Sequence, residues 1–90
     1  MDAIKVHSIE QLGDLVRRTR KASGLRQDQL AGVANVGLRF IVDLERGKPT
    51  AQVGKVLQVL ATLGCTLTYA PPVGLDLDSP SKPRTARGEQ

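Results

Sequence analysis

Side chains able to do covalent or metal chemistry are few: the chain holds one histidine, His7, and one cysteine, Cys65. An imidazole and a thiol together fall short of the ligand set that a closed metal site needs, and a lone cysteine forms no intramolecular disulfide. Such usage fits a reducing cytoplasm. There is no paired acid and base and no activated nucleophile, so an enzyme is the reading these residues support least, and no metal or cofactor is expected. What remains is charge. Thirteen Lys and Arg against nine Asp and Glu leave a net charge of +4 on 90 residues, a balance that suits a polyanion.

The elements that must position those charges can be read from periodicity. Ninety residues build one small core and leave little room for a second. The first eight mix Asp2, Lys5 and His7 with single apolar residues, unlike a signal peptide, and no stretch is long enough to span a bilayer. Ser8, with Gln11 three residues on, has capping-box spacing ahead of Ile9, Leu12, Leu15, Val16, Thr19 and Ala22. The pattern predicts a helix over 9–23, ended by Gly24. Its other face carries Arg17, Arg18 and Lys21, with Arg20 close by: either a solvated face or part of a basic surface.

A short helix is predicted over 27–34, with Asp28 in its first turn and Leu30, Ala31 and Ala34 inward. Asn35, Val36 and Gly37 break it. A third helix begins near Gly37 or Leu38 and runs through Ile41 and Leu44 to Arg46, where Gly47 and then Pro49 stop it. Thr50 can cap a last helix of about a dozen residues, with Val53, Val56, Leu57, Leu60, Ala61 and Leu63 as its stripe and Gly64 at its end. The period then changes to two. Cys65, Leu67 and Tyr69 alternate with Thr66, Thr68 and Ala70, which predicts a strand. From Pro71 the composition is that of a disordered tail.

Two helices joined by a turn of a few residues, the second opening with exposed side chains, fit a major groove. Ala31 is small where those helices approach, Asn35 tolerates a left-handed turn, and Ile41 and Leu44 pin the second helix to the core. Gln27-Asp28-Gln29-Leu30-Ala31, with the later run Ile41-Val42-Asp43-Leu44-Glu45-Arg46-Gly47-Lys48, resembles the xenobiotic-response-element (XRE) class of helix-turn-helix regulators, which includes the phage repressors. Within that class, residues 40–64 followed at once by a strand resemble the HipB-like antitoxins. The resemblance implies a mainly α, lambda-repressor-like domain of four to five helices with a C-terminal β-strand for dimerisation. The expected organisation is an N-terminal segment 1–8 with room for a short strand, a DNA-binding domain 9–64, a dimerisation strand 65–70 and a tail 71–90.

By position, the resemblance implies base contacts from Gln27, Leu38, Arg39 and Asp43 and phosphate contacts from Arg26, Arg46 and Lys48. Arg39 has a planar fork that can bond O6 and N7 of one guanine, or else hold a phosphate. Leu38 depart from the polar residues common there, as does Phe40; Leu38 could touch a thymine methyl, while Phe40 serves core, partner interface or base. Arg26 stands where Ser, Thr or Asn usually caps the helix. Arg20 and Glu45 occupy positions of a buried or half-buried ion pair in related repressors.

One such unit reads only a few base pairs, so a homodimer on a palindromic operator of double-stranded DNA is the expected form. Antiparallel pairing of 65–70 with its symmetry mate would satisfy the strand edge and bury Cys65, Leu67 and Tyr69; pairing with 4–7 of the same chain is the alternative, and both can coexist. The HipB-like resemblance implies a HipA-like serine/threonine kinase toxin as partner, an autorepressed operon and a cytoplasmic, nucleoid-associated location. A regulator of the same fold without a toxin, and a protein-interaction module that has lost DNA binding, are the competing readings.

Overall fold

The computed structural model describes residues 3–77. Four helices follow in order: α1 Ile9–Ala22, α2 Gln27–Ala34, α3 Leu38–Glu45 and α4 Val53–Thr62. The Ser8 hydroxyl caps α1 by accepting from the Gln11 backbone N–H at 3.0 Å. Gln11 does not return the bond to Ser8 as a capping box would. Its Oε1 accepts instead from the His7 N–H at 2.7 Å, and its Nε2 donates to the Lys5 carbonyl at 2.8 Å. One amide thereby clips the N-terminal segment onto the start of α1.

At α2 the N-cap Arg26 has no acceptor to offer, and Gln29 compensates by accepting from the Arg26 N–H at 2.8 Å. The helix ends at Asn35, which takes the left-handed conformation expected of it, φ 59° and ψ 45°. Gln58 of α4 donates to the Ala34 carbonyl at 3.2 Å, satisfying one acceptor that the last turn of α2 leaves without an intrahelical partner.

The core joins all four helices through Val16, Leu30, Ala31, Ala34, Ile41, Leu44, Val56, Val59 and Leu60. Ile41 and Leu44 are fully buried, so α3 is held by one face while the other stays open. Phe40 packs partly buried against this core, with the Lys55 ammonium 5.8 Å from its ring centre. Of its three possible roles the structure gives it the first, as a core residue with an open edge.

Two features of α4 correct the sequence reading. Its N-cap is Gln52 rather than Thr50. Thr50 is taken up by a turn in which the Ala51 N–H donates to the Lys48 carbonyl at 3.3 Å. Val59 is fully buried, whereas Val53 and Leu57 of the expected stripe are exposed. Apolar residues lie on more than one face of this helix, and only packing against α2 selects which face goes in.

Within one chain the C-terminal segment forms no strand, and the alternative pairing with 4–7 is not made. Residues 65–70 form no β-ladder, and among the described residues there is no strand at all, neither there nor in 3–7. A strand is defined by the hydrogen bonds it exchanges, and alternation of side chains supplies none of them within one chain. The two segments do lie on one apolar groove of about 910 Å³, together with Leu12, Leu15 and Leu60. Leu67 and Tyr69 are exposed, and Cys65 is half-buried against the core. Of the tail expected over 71–90, residues 71–77 are exposed and contain a turn in which Leu75 N–H donates to the Pro72 carbonyl at 3.2 Å. The remainder lies outside the described residues.

Candidate nucleic-acid interface

The interface is organised around one buried carboxylate. Glu45, at the end of α3, accepts from Arg20 Nε at 2.6 Å through one oxygen and from Arg20 NH2 at 2.9 Å through the other. These side chains are 3% and 9% exposed. A third guanidinium N–H, on NH1, donates to the Leu25 carbonyl at 2.9 Å. Arg20 therefore meets the condition under which burying a charge is tolerable, a bidentate partner plus further hydrogen bonds. The hydrogen bond to Glu45 holds the Arg20 guanidinium above its ordinary pKa, against the opposing effect of burial. The ion pair implied by family resemblance is present.

Gln27 joins the same group, its Nε2 donating to Glu45 at 3.1 Å. Glu45 thus ties α1 and the start of α2 to the end of α3, and sets the angle between the two helices of the turn. Around it lies a shallow polar cleft of about 400 Å³, lined by Arg17, Arg20, Lys21, Gln27, Val42, Glu45 and Arg46. The cleft answers a question the sequence left open. Arg17 and Lys21 join Arg46 on one basic surface, Arg17 also standing 3.9 Å from Asp14 Oδ1, whereas Arg18 lies outside the cleft and pairs with Asp14, Nε to Oδ2 2.9 Å. Their i,i+4 spacing was the available signal, but the spacing alone does not say which way that face points.

On the outer face of α3, Leu38 is half exposed and the Arg39 side chain is 76% exposed. Asp43, one turn on, is only 18% exposed and its carboxylate is engaged: Oδ1 with Arg39 Nε at 3.2 Å, Oδ2 with Lys48 Nζ at 3.5 Å. The Lys48 backbone N–H also donates to the Asp43 carbonyl at 3.0 Å. Arg26 is exposed beside Gln27 and pairs with Asp28, Nε to Oδ1 3.0 Å. That hydrogen bond is the chief cause holding the Asp28 carboxyl below the usual aspartate range. Gln27, Leu38, Arg39, Asp43, Arg46 and Lys48 thus come from the two helices of the turn and the bend after them, while Cys65 and Leu67 line the apolar groove and Tyr69 stands exposed beside it in sequence.

A residue that sequence reasoning missed is Gly13. A Cβ built there would stand 2.2 Å from the Leu44 carbonyl oxygen, so α1 and α3 cross at backbone contact. Gly47 has a similar duty, with φ +82° and a notional Cβ 2.7 Å from the Glu10 Cα. No local pattern marks Gly13, because its reason lies 31 positions away in sequence, at Leu44.

Two short helices at a left-handed turn, the second anchored by Ile41 and Leu44 and carrying exposed Leu38 and Arg39, define a helix-turn-helix protein. The sequence matches the family described as Helix-turn-helix domain over residues 11–68. The chain belongs to that family, and its fold is that of a DNA-binding transcriptional regulator of the XRE type. It is 63% identical over 70 residues to an uncharacterized HTH-type transcriptional regulator, y4mF, of Sinorhizobium fredii (strain NBRC 101917 / NGR234), spanning 78% of this chain and 92% of that protein. Among solved structures, the HipA-HipB-O2-O3 complex contains a chain that superposes with a TM-score of 0.71 at 20% identity, over 77% of this chain and 97% of the other. The HipB-O4 20mer complex gives a TM-score of 0.70 at 20% identity over the same shares. These likenesses establish a shared fold. No helix among the described residues is long and apolar enough to cross a membrane.

Proposed function

We propose that the protein is a sequence-specific repressor, binding a palindromic operator in double-stranded DNA as a homodimer, and that it is the antitoxin of a pair whose toxin is a HipA-like kinase. The observation that carries the DNA-binding reading is the division of α3 into two faces: Ile41 and Leu44 are fully buried, while Leu38 and Arg39 are exposed on the helix whose Val42 and Glu45 line the basic cleft. A module that had given up DNA would have no need to gather Arg46, Arg17 and Lys21 on one cleft while Arg39 stands exposed on the recognition helix. In this reading Arg39 reads a base and Leu38 packs on a thymine methyl. Gln27 takes the first base pair or its phosphate, and Arg26, Arg46, Lys48, Arg17 and Lys21 hold backbone.

Arg39→Ala is expected to relax discrimination at one position of each half-site by about 1 to 3 kcal/mol. Lys48→Ala weakens binding to all sequences and reduces the salt slope by about one. Fluorescence anisotropy on specific and random duplexes separates the two. Equal losses on both duplexes for Arg39→Ala would remove its base-reading role.

Dimerisation rests on the apolar groove between 3–7 and 65–70 and on the exposed Leu67 and Tyr69, which a symmetry-related strand would cover. Leu67→Pro removes a ladder donor and is expected to yield monomers in analytical ultracentrifugation. A dimer of unchanged strength would exclude the strand as the interface. The toxin partner is supported by the fold shared with HipB, which is solved in complex with HipA. The relative described as a transcriptional regulator favours a second reading, a stand-alone regulator on the same DNA site. Co-purification from the native operon followed by mass spectrometry decides between them: a co-eluting kinase supports the antitoxin, its absence the regulator. Both readings place the protein in the cytoplasm on the nucleoid.

A further inference from the structure

We infer that Asp43 is a positioning residue for base reading: its carboxylate fixes Arg39 and Lys48 and thereby raises discrimination at the expense of affinity for DNA in general. The inference rests on the DNA-binding function proposed above. Resemblance alone had placed Asp43 among the base contacts, where a carboxylate would accept from a cytosine amino group. The geometry leaves it little freedom to do so, because each oxygen faces a cation, Arg39 Nε at 3.2 Å and Lys48 Nζ at 3.5 Å.

The pairing to Arg39 is through Nε, so both terminal nitrogens of the guanidinium stay available. Those are the ones a bidentate bond to guanine uses. A side chain that is 76% exposed would otherwise sample many rotamers, and ordering it on binding works against association. Asp43, only 18% exposed and anchored on the same helix, removes part of that cost in advance. The tie to Lys48 does the same for the chain beyond α3, since the Lys48 N–H donates to the Asp43 carbonyl as well.

Two circumstances show that the carboxylate is kept for its partners. It lies in the last turn of α3, where the helix dipole disfavours negative charge. It also stands on the surface that would meet phosphates, where it repels them. A binder selected for affinity alone gains by losing it. A reader of sequence gains by keeping it, since the repulsion acts on every duplex while the ordered Arg39 helps only on the right one.

The test is a double-mutant cycle on DNA. The wild-type full chain selects a duplex from a random pool, and anisotropy then measures wild type, Asp43→Asn, Arg39→Ala and the double variant on that duplex and on a scrambled one. Asp43→Asn is expected to bind the scrambled duplex more tightly, yet to lose about fivefold in the ratio of selected to scrambled affinity. In the Arg39→Ala background the same substitution leaves that ratio unchanged, within about twofold, because its effect passes through Arg39. An equal loss of ratio in that background would overturn the inference and make Asp43 a direct reader. A ratio unmoved by Asp43→Asn alone would overturn it too, while leaving the DNA-binding function intact. A pool in which wild type enriches no sequence would overturn the function and the inference together.

Discussion

Arg20→Met is expected to cost about 3–5 kcal/mol of folding stability, read as a lowered midpoint in urea unfolding with an unchanged slope. The reason is what it leaves behind. Glu45, with a side chain 3% exposed, would keep only the hydrogen bond from Gln27 Nε2 and would sit as an uncompensated buried charge. The Leu25 carbonyl loses its guanidinium donor at the same time. Against a total stability of about 5–15 kcal/mol for a domain of this kind, such a loss removes a large fraction of the margin that keeps the protein folded. The pair itself contributes far less than that figure, since its attraction is set against the desolvation of both ions. Arg20→Met combined with Glu45→Leu is therefore expected to recover most of the lost stability. It would not recover DNA binding, because Gln27 and the end of α3 lose their common anchor. A loss under about 1 kcal/mol for Arg20→Met would show that the pair is solvated in solution.

Gly13→Val is expected to destabilise the fold by about 3 kcal/mol, at the upper end of overpacking effects, visible as a drop in thermal midpoint. In an exposed helix interior, replacing glycine by alanine gains about 1 kcal/mol through propensity. At Gly13 the sign reverses. The atoms that a Cβ would strike are the Leu44 carbonyl oxygen at 2.2 Å and the Glu45 carbonyl carbon and oxygen at 3.1 Å, all of them backbone. Backbone cannot step aside as the far end of a flexible side chain can, so α1 and α3 must separate. That displaces Leu44 from the core and Glu45 from Arg20 at once. Gly32, within α2, has nothing within 4 Å of its notional Cβ, and Gly32→Ala is expected to stabilise by about 0.5–1 kcal/mol. Equal effects at the two positions would refute the close approach.

The helices were legible in the sequence to different degrees, and the differences have physical causes. Ser8 and the apolar period of α1 mark a start and a face that do not depend on any distant residue. Asn35 announces the turn because few residue types accept a positive φ. For α4 the same method misjudged the buried face, leaving out Val59 and taking in Val53 and Leu57, because a helix with apolar residues on several sides carries no phase of its own. The alternation at 65–70 describes a surface fit for a strand and does not name the partner that would make it a ladder.

Determined by the sequence alone were the class and the turn. Four helix signals, a two-helix unit opening at Gln27 and closing at Gly47, and a surplus of positive charge suffice for a small helix-turn-helix protein. The tertiary structure alone decided which charges act together. Glu45 binds Arg20 across 25 positions through both oxygens and gathers Gln27 to the one that Arg20 NH2 reaches. Gly13 lets that approach happen, Arg17 and Lys21 join Arg46 on one cleft, and Asp43 holds Arg39. Local preferences are short-ranged and survive in the linear text. Ion pairs and backbone contacts depend on distances of a few ångströms, and packing is what sets those.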